Sequence, residues 1–203
     1  MRRTGSASPV KTLVPLAWPP ADAAGVAWEG DLLAISTVAT GGDRAAARGA
    51  IRAAVGAATA LLTGVGAERI EVAGAAGSAP HLLIDGGAAA IGVSISHCAT
   101  LSVAVLHRAG AVGVDVMQIG IGNDWARVAW DYLGPATASL LAASLDATRP
   151  LAFCRAWTRR EAALKLRGEQ LREWCAADAA DRSHLVELLL GDGLTGVAAV
   201  ATA

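Results

Sequence analysis

Disulfide-competent cysteines, a surplus of either charge, and long unbroken apolar runs are all lacking in this chain of 203 residues. The three cysteines, Cys98, Cys154 and Cys175, are odd in number, scattered and without CxxC spacing. That argues against a disulfide framework or a zinc site and fits a reducing, cytoplasmic setting. Lys and Arg number 17 against 18 Asp and Glu, for a net charge of −1. No basic excess exists to hold a nucleic acid, so any anion recognition has to be local. The hydrophobic share is 54%, yet it comes from Ala-rich stretches that never reach the ~18 uninterrupted apolar residues of a membrane span. The basic start, Met1 to Ser6, is followed by Lys11, Pro15 and Pro19-Pro20 instead of the continuous apolar segment of a secretory signal.

What is present reads as alternating strands and helices in two halves. An irregular lead-in of about 40 residues holds a strand over 31–38, closed by Gly41-Gly42. The spacing predicts a helix from Asp43, as its cap, to about Leu62, with Arg44, Arg48 and Arg52 on one stripe. Short strands are expected at 69–72, 81–84, 93–97 and 101–107. After Ala109-Gly110 the pattern predicts a strand over 111–117, then helical segments over 123–145, broken at Gly134-Pro135, and 150–166, stopped at Gly168. A terminal hairpin over 185–190 and 194–202 turns at Gly191-Asp192-Gly193.

Three clusters carry chemistry. Asp115 sits in the apolar run Val112–Val116, where a charge is costly unless paired or bound to a cation. Gly113, Asp115 and Met117 share one strand face, and Gly113 reads as leaving room for a ligand. Trp157, Glu161 and Lys165 stand four residues apart on one helix face, with Arg159 and Arg160 beside them. A carboxylate and an ammonium so stacked can grip a metal and a phosphate together, although Glu161 and Lys165 also match an ordinary helix ion pair. Ser96-His97-Cys98 lies at a strand end, and Arg44, Arg48 and Arg52 offer forked donors to an anion. A Cys98/His97 dyad is disfavoured, because adjacent residues of an extended chain point to opposite faces.

In order and spacing, Ser94-Ile95-Ser96-His97, Gly113-Val114-Asp115-Val116-Met117 and Trp157-Thr158-Arg159-Arg160-Glu161-Ala162-Ala163-Leu164-Lys165 resemble the 4′-phosphopantetheinyl transferase superfamily, in its larger, two-lobed Sfp-like branch. The resemblance covers about residues 44 to 168. It implies an α+β (α/β) fold of two similar lobes, 1–108 and 109–203, related by a pseudo-two-fold axis, with the active site in their cleft. The implied activity is Mg²⁺-dependent transfer of the phosphopantetheine arm of coenzyme A to a serine of an acyl or peptidyl carrier protein, releasing 3′,5′-ADP, by a monomer.

By the same resemblance Asp115 and Glu161 are the metal ligands, with Glu161 also helping to deprotonate the serine, and Lys165 holds the pyrophosphate. Ser96, His97, Arg48, Arg52, Arg160 and Lys165 then contact coenzyme A. Two positions depart from the family pattern. Met117 replaces a second acid, and Gly77-Ser78-Ala79-Pro80 offers Ala79 where a basic residue is usual. The alternative is a non-catalytic relative that binds coenzyme A or a carrier protein.

Overall fold

A computed structural model describes residues 12–39, 43–75 and 78–201; Gly41-Gly42, Gly77 and the Met1–Lys11 stretch lie outside the described residues. The architecture is mixed α+β. Strands β1 (Thr12–Leu13) and β2 (Leu16–Ala17) precede β3 (Leu32–Val38) and helix α1 (Arg44–Thr63). A small sheet follows, of β4 (Ile70–Ala73), β5 (His81–Ile84) and β6 (Gly87–Ala88), and then β7 (Gly92–His97) and β8 (Leu101–His107). The second half runs β9 (Val112–Gln118), α2 (Trp125–Val128), a π-helical turn (Ala129–Leu133), α3 (Pro135–Ala142), α4 (Arg149–Leu166), β10 (His184–Leu188) and β11 (Leu194–Val200).

Local chemistry sets these boundaries. The Asp43 side chain accepts from the N–H groups of Ala45 and Ala46 at 2.9 and 3.0 Å and so caps α1. Gly64, at φ +69°, ends that helix in the left-handed conformation a glycine adopts freely. Gly134 breaks the α2–α3 segment, and Pro135 opens α3 at the position where its missing N–H is harmless.

Two four-stranded sheets form the body, in the orders β2-β3-β8-β7 and β1-β10-β11-β9. In each half three main-sheet strands, one before a long helix and two after it, lie in the order first, third, second, β3-β8-β7 and β9-β11-β10, with the small sheet β4–β6 added in the first half and α2 and α3 in the second. The lead-in is less irregular than its sequence implies. β2 adds a parallel edge to β3, and β1 adds one to β10, so the first described residues join both sheets.

Strand periodicity explains the layers. Leu32, Ala34, Val103 and Val105 of one sheet meet Val112, Val114, Val116, Val186, Leu188, Ala198 and Val200 of the other in one buried cluster. The opposite face of the first sheet, with Leu33, Ile35, Ala104 and Leu106, is covered by Ile51, Ala54, Val55 and Ala58 of α1. By length and composition α1 is apolar enough to cross a membrane, but it packs this face into the core. Ala162 of α4 packs on Val197 and Ala199, covering the outer face of the second sheet.

Gly113 faces α4, so the room it was expected to leave for a ligand is already filled. A Cβ there would lie 1.9 Å from the Ala162 carbonyl oxygen and 2.6 Å from the Leu166 nitrogen. The space a side chain would fill is taken by helix backbone, and that close approach brings α4 onto β9 at the site.

Candidate functional site

β9 is an edge strand, paired only with β11, so the amides of Val114 and Val116 need partners from elsewhere. β7 supplies them with side chains. Ser94 Oγ accepts from the Val114 N–H at 3.0 Å and Ser96 Oγ from the Val116 N–H at 3.2 Å. The two serines alternate with Val93 and Ile95, which belong to the α1 core, so one residue pattern serves both faces. Two hydroxyls thus join the two sheets where no backbone ladder does.

Asp115 is 8% exposed and sits at this seam. Ser96 donates its hydroxyl to Asp115 Oδ1 at 2.9 Å, and Lys165 donates to the same oxygen at 2.7 Å. Lys165 also donates to the Val114 carbonyl at 3.0 Å, which uses two of its three ammonium donors and leaves the third for a ligand. The i,i+4 partner of Lys165 is therefore not Glu161. Glu161 accepts no hydrogen bond among the described residues. Burial first, and the Asp115 charge second, push its carboxyl pKa up, while Lys165 and Arg160 partly offset this. Glu161 and Lys165 line a cavity of about 720 Å³ that also borders Ser78, Ala79 and Pro80.

On the other side of the seam His97 Nδ1 is 2.7 Å from Ser102 Oγ. Desolvation of the ring, then the charges of Arg48 and Lys165, lower the His97 pKa. His97 and Cys98 line a second cavity, of about 690 Å³, with Arg44 and Arg48 at the start of α1. Asp115, Glu161, Lys165, Ser96, His97 and Arg48 therefore gather along one seam. The remaining two predicted residues are engaged elsewhere. Arg52 donates to the carbonyls of Val72 and Gly74, tying α1 to the small sheet. Arg160, with only 9% of its side chain exposed, pairs with Asp178 at 2.8 Å. That pair belongs to a network in which Arg172 and Arg167 also reach Asp178. Ser96 itself is 5% exposed, with both its hydrogen bonds made inside the protein.

Ser94 stands in the motif quoted above without an assigned role, and Ser102 lies outside it. The alternation Ser94-Ile95-Ser96 was a signal for the first, since two hydroxyls on one strand face imply a shared acceptor role. Ser102 became relevant only through register, which sets it opposite His97.

Met117 turns into the apolar cluster of Leu133, Phe153 and Trp157. Among the described residues no group of three or more His, Cys, Asp or Glu can hold a metal ion. What remains are two carboxylates, of which Glu161 accepts no hydrogen bond and Asp115 takes both its donors on one oxygen. Like-charged hard oxygens of this kind fit a divalent cation that completes its shell with phosphate and water, as Mg²⁺ does, and not one needing an all-protein cage.

Among curated proteins none matches the chain. Residues 111–188, the span from β9 through α4 to β10 that carries Asp115, Glu161 and Lys165, match the family model of the 4′-phosphopantetheinyl transferase superfamily and are in that measure similar to a family of phosphopantetheine transferases.

Proposed function

We propose that the protein transfers the 4′-phosphopantetheine arm of coenzyme A to a serine of an acyl or peptidyl carrier protein in a Mg²⁺-dependent reaction. The observation that carries this is the pairing of Asp115, buried and held by Ser96 and Lys165, with the hydrogen-bond-free Glu161 on the wall of a cavity. Asp115 and Glu161 would hold the Mg²⁺, which would supply charge neutralisation for the pyrophosphate.

The residues of the chain account for the rest. Lys165 offers its third donor to a pyrophosphate oxygen. If Ser102 donates to His97 Nδ1, the imidazole proton lies on Nε2, directed to a phosphate, and Arg48 stands beside it. The carrier serine attacks the β-phosphorus, the bond to the bridging oxygen breaks, and 3′,5′-ADP leaves. The serine proton passes to Glu161, directly or through water, and its raised pKa makes it a stronger base than an ordinary carboxylate.

We read the halves 1–108 and 109–203 as Sfp-like lobes related by a pseudo-two-fold axis. The common order of three main-sheet strands around one long helix, β3-β8-β7 and β9-β11-β10, supports this. One chain then supplies both groups, His97 and Arg48 at one cavity and Glu161 and Lys165 at the other, with Ser96 and Asp115 at the seam between the sheets, so a monomer suffices. Cys98, Cys154 and Cys175 are free thiols, which favours a reducing, cytoplasmic setting. The test is incubation with apo carrier protein, coenzyme A and Mg²⁺. A mass gain of one phosphopantetheine arm on the carrier is expected, and its absence with every carrier class refutes the proposal. Retained coenzyme A binding without transfer then assigns the chain to a binding role.

A further inference from the structure

We infer that Ser96 is a positioning residue for Asp115, setting the carboxylate so that its second oxygen stays available to a divalent cation. The identity of that cation as Mg²⁺ rests on the transferase reading above; the positioning itself rests on geometry.

Ser94 and Ser96 are near-equivalents at the seam. Both are 5% exposed, both lie on the same face of β7, and each accepts one β9 N–H, from Val114 at 3.0 Å and Val116 at 3.2 Å. They differ in the hydroxyl proton. That of Ser96 goes to Asp115 Oδ1 at 2.9 Å, whereas among the described residues the Ser94 hydroxyl reaches no carboxylate.

The terminal torsion of an aspartate is broad, so one donor leaves the carboxylate free to rock. Here two donors converge on Oδ1 from different elements, Ser96 from β7 and Lys165 from α4. Ser96 is itself fixed, because its acceptor side is tied to a backbone amide. With Oδ1 held from two directions, Oδ2 has a set direction and carries neither bond. At 5% exposure Ser96 is shielded from substrate, so its influence has to pass through Asp115.

The two serines provide the test. Wild type, Ser94→Ala, Ser96→Ala and Ser96→Thr are melted with and without Mg²⁺, and the Mg²⁺ dependence of transfer is measured on each. Both alanine variants are expected to lower the cation-free Tm by similar amounts, since each loses one seam bond. The Mg²⁺-induced rise in Tm, which reports binding to the native state, is retained by Ser94→Ala. In Ser96→Ala it shrinks, with the Mg²⁺ affinity down roughly 10-fold, as is usual when a group orienting a metal ligand is removed. Half-saturating Mg²⁺ for transfer rises in step, KM for coenzyme A at saturating Mg²⁺ stays put, and Ser96→Thr, which keeps the hydroxyl, recovers the wild-type response.

The inference is overturned if Ser96→Ala responds to Mg²⁺ as Ser94→Ala does, or if wild type shows no cation-induced rise at all. Should Ser96→Ala not fold, Ser96→Cys keeps the volume with a much weaker donor, and the same two outcomes decide. A Ser96-dependent rise in a wild type that performs no transfer sinks the reaction and leaves the positioning role standing.

Discussion

Gly113→Ala is the substitution whose consequence follows most directly from the geometry. The added Cβ lies 1.9 Å from the Ala162 oxygen, 2.6 Å from the Leu166 nitrogen and 2.9 Å from the Ala162 carbon. All three are backbone atoms of α4 or its end, so no side-chain rotation relieves the contact. Comfortable separations between non-bonded heavy atoms are about 3.5 Å, so the helix has to withdraw from β9 by more than about 1 Å. Overpacking of this kind costs about 1–3 kcal/mol, and the absence of any flexible neighbour puts Gly113→Ala at the upper end. For a chain of 150–250 residues each kcal/mol moves Tm by about 2–4 °C, so a fall of roughly 6–12 °C is expected. The same movement stretches the 2.7 Å contact between Lys165 and Asp115 Oδ1. A misplacement near 1 Å can cost about 100-fold in rate, so transfer is expected to fall by about that factor in protein that is still fully folded. Gly49→Ala in α1 is the control. It is exposed, helical and has nothing within 4 Å of the new Cβ, so it is expected to raise stability by about 1 kcal/mol. Thermal melts and transfer rates at a temperature well below both transitions make the comparison. A Gly113→Ala protein with wild-type Tm and rate refutes the account of how α4 is seated.

Glu161→Gln is expected to abolish transfer and yet raise Tm at neutral pH in chelator-treated protein. The folded pKa of Glu161 is raised above its unfolded value by burial and by Asp115. Its favourable contribution is therefore complete below the unfolded carboxylate range, near 4.3, and is lost as pH rises through the folded value. The advantage of Glu161→Gln should thus appear at neutral pH and vanish in acid, and a variant less stable than wild type at pH 7 counts against it. Arg48→Ala is expected to raise KM for coenzyme A about 10-fold with kcat little changed, because Arg48 is exposed beside His97 with no hydrogen-bond partner in the described residues. Arg52→Ala should instead lower Tm and spare KM, since its guanidinium serves Val72 and Gly74; the reverse pattern overturns both assignments.

Much of the local structure was legible because local chemistry wrote it. The Asp43 cap, the break at Gly134-Pro135 and the stop at Gly168 bound helices close to where the sequence puts them. The strands over 101–107 and 112–118 declared themselves by β-branched runs. Partner choice was not legible in the same way. The spacing of Glu161 and Lys165 suggests a helix ion pair, but Lys165 bends to Asp115, fifty residues earlier, because a buried carboxylate on an edge strand needs the ammonium more than a half-buried glutamate one helical turn away does. Likewise the arginine stripe of α1 is real, yet its members part company. Arg48 stays at the cavity while Arg52, one turn on, meets the open carbonyls of the small sheet. Which of several chemically equivalent groups is free for a ligand depends on what the fold brings alongside, and no periodicity encodes that.

The asymmetry between the two carboxylates is the deeper point. Asp115 is nearly enclosed yet fully served, with a hydroxyl and an ammonium on one oxygen. Glu161 is less enclosed but accepts no hydrogen bond among the described residues, and burial first and the Asp115 charge second raise its pKa. A site built only for stability would exchange these conditions, because an ionised group without donors is the expensive one to keep. Under the proposed reaction, holding one carboxylate rigid and leaving its neighbour unsatisfied would let a cation gain from both, the first as a fixed anchor and the second as a charge awaiting neutralisation. With Met117 turned into the apolar cluster and unable to share that load, the proposed reaction would make the unsatisfied state of Glu161 the feature on which cation binding and proton abstraction both depend.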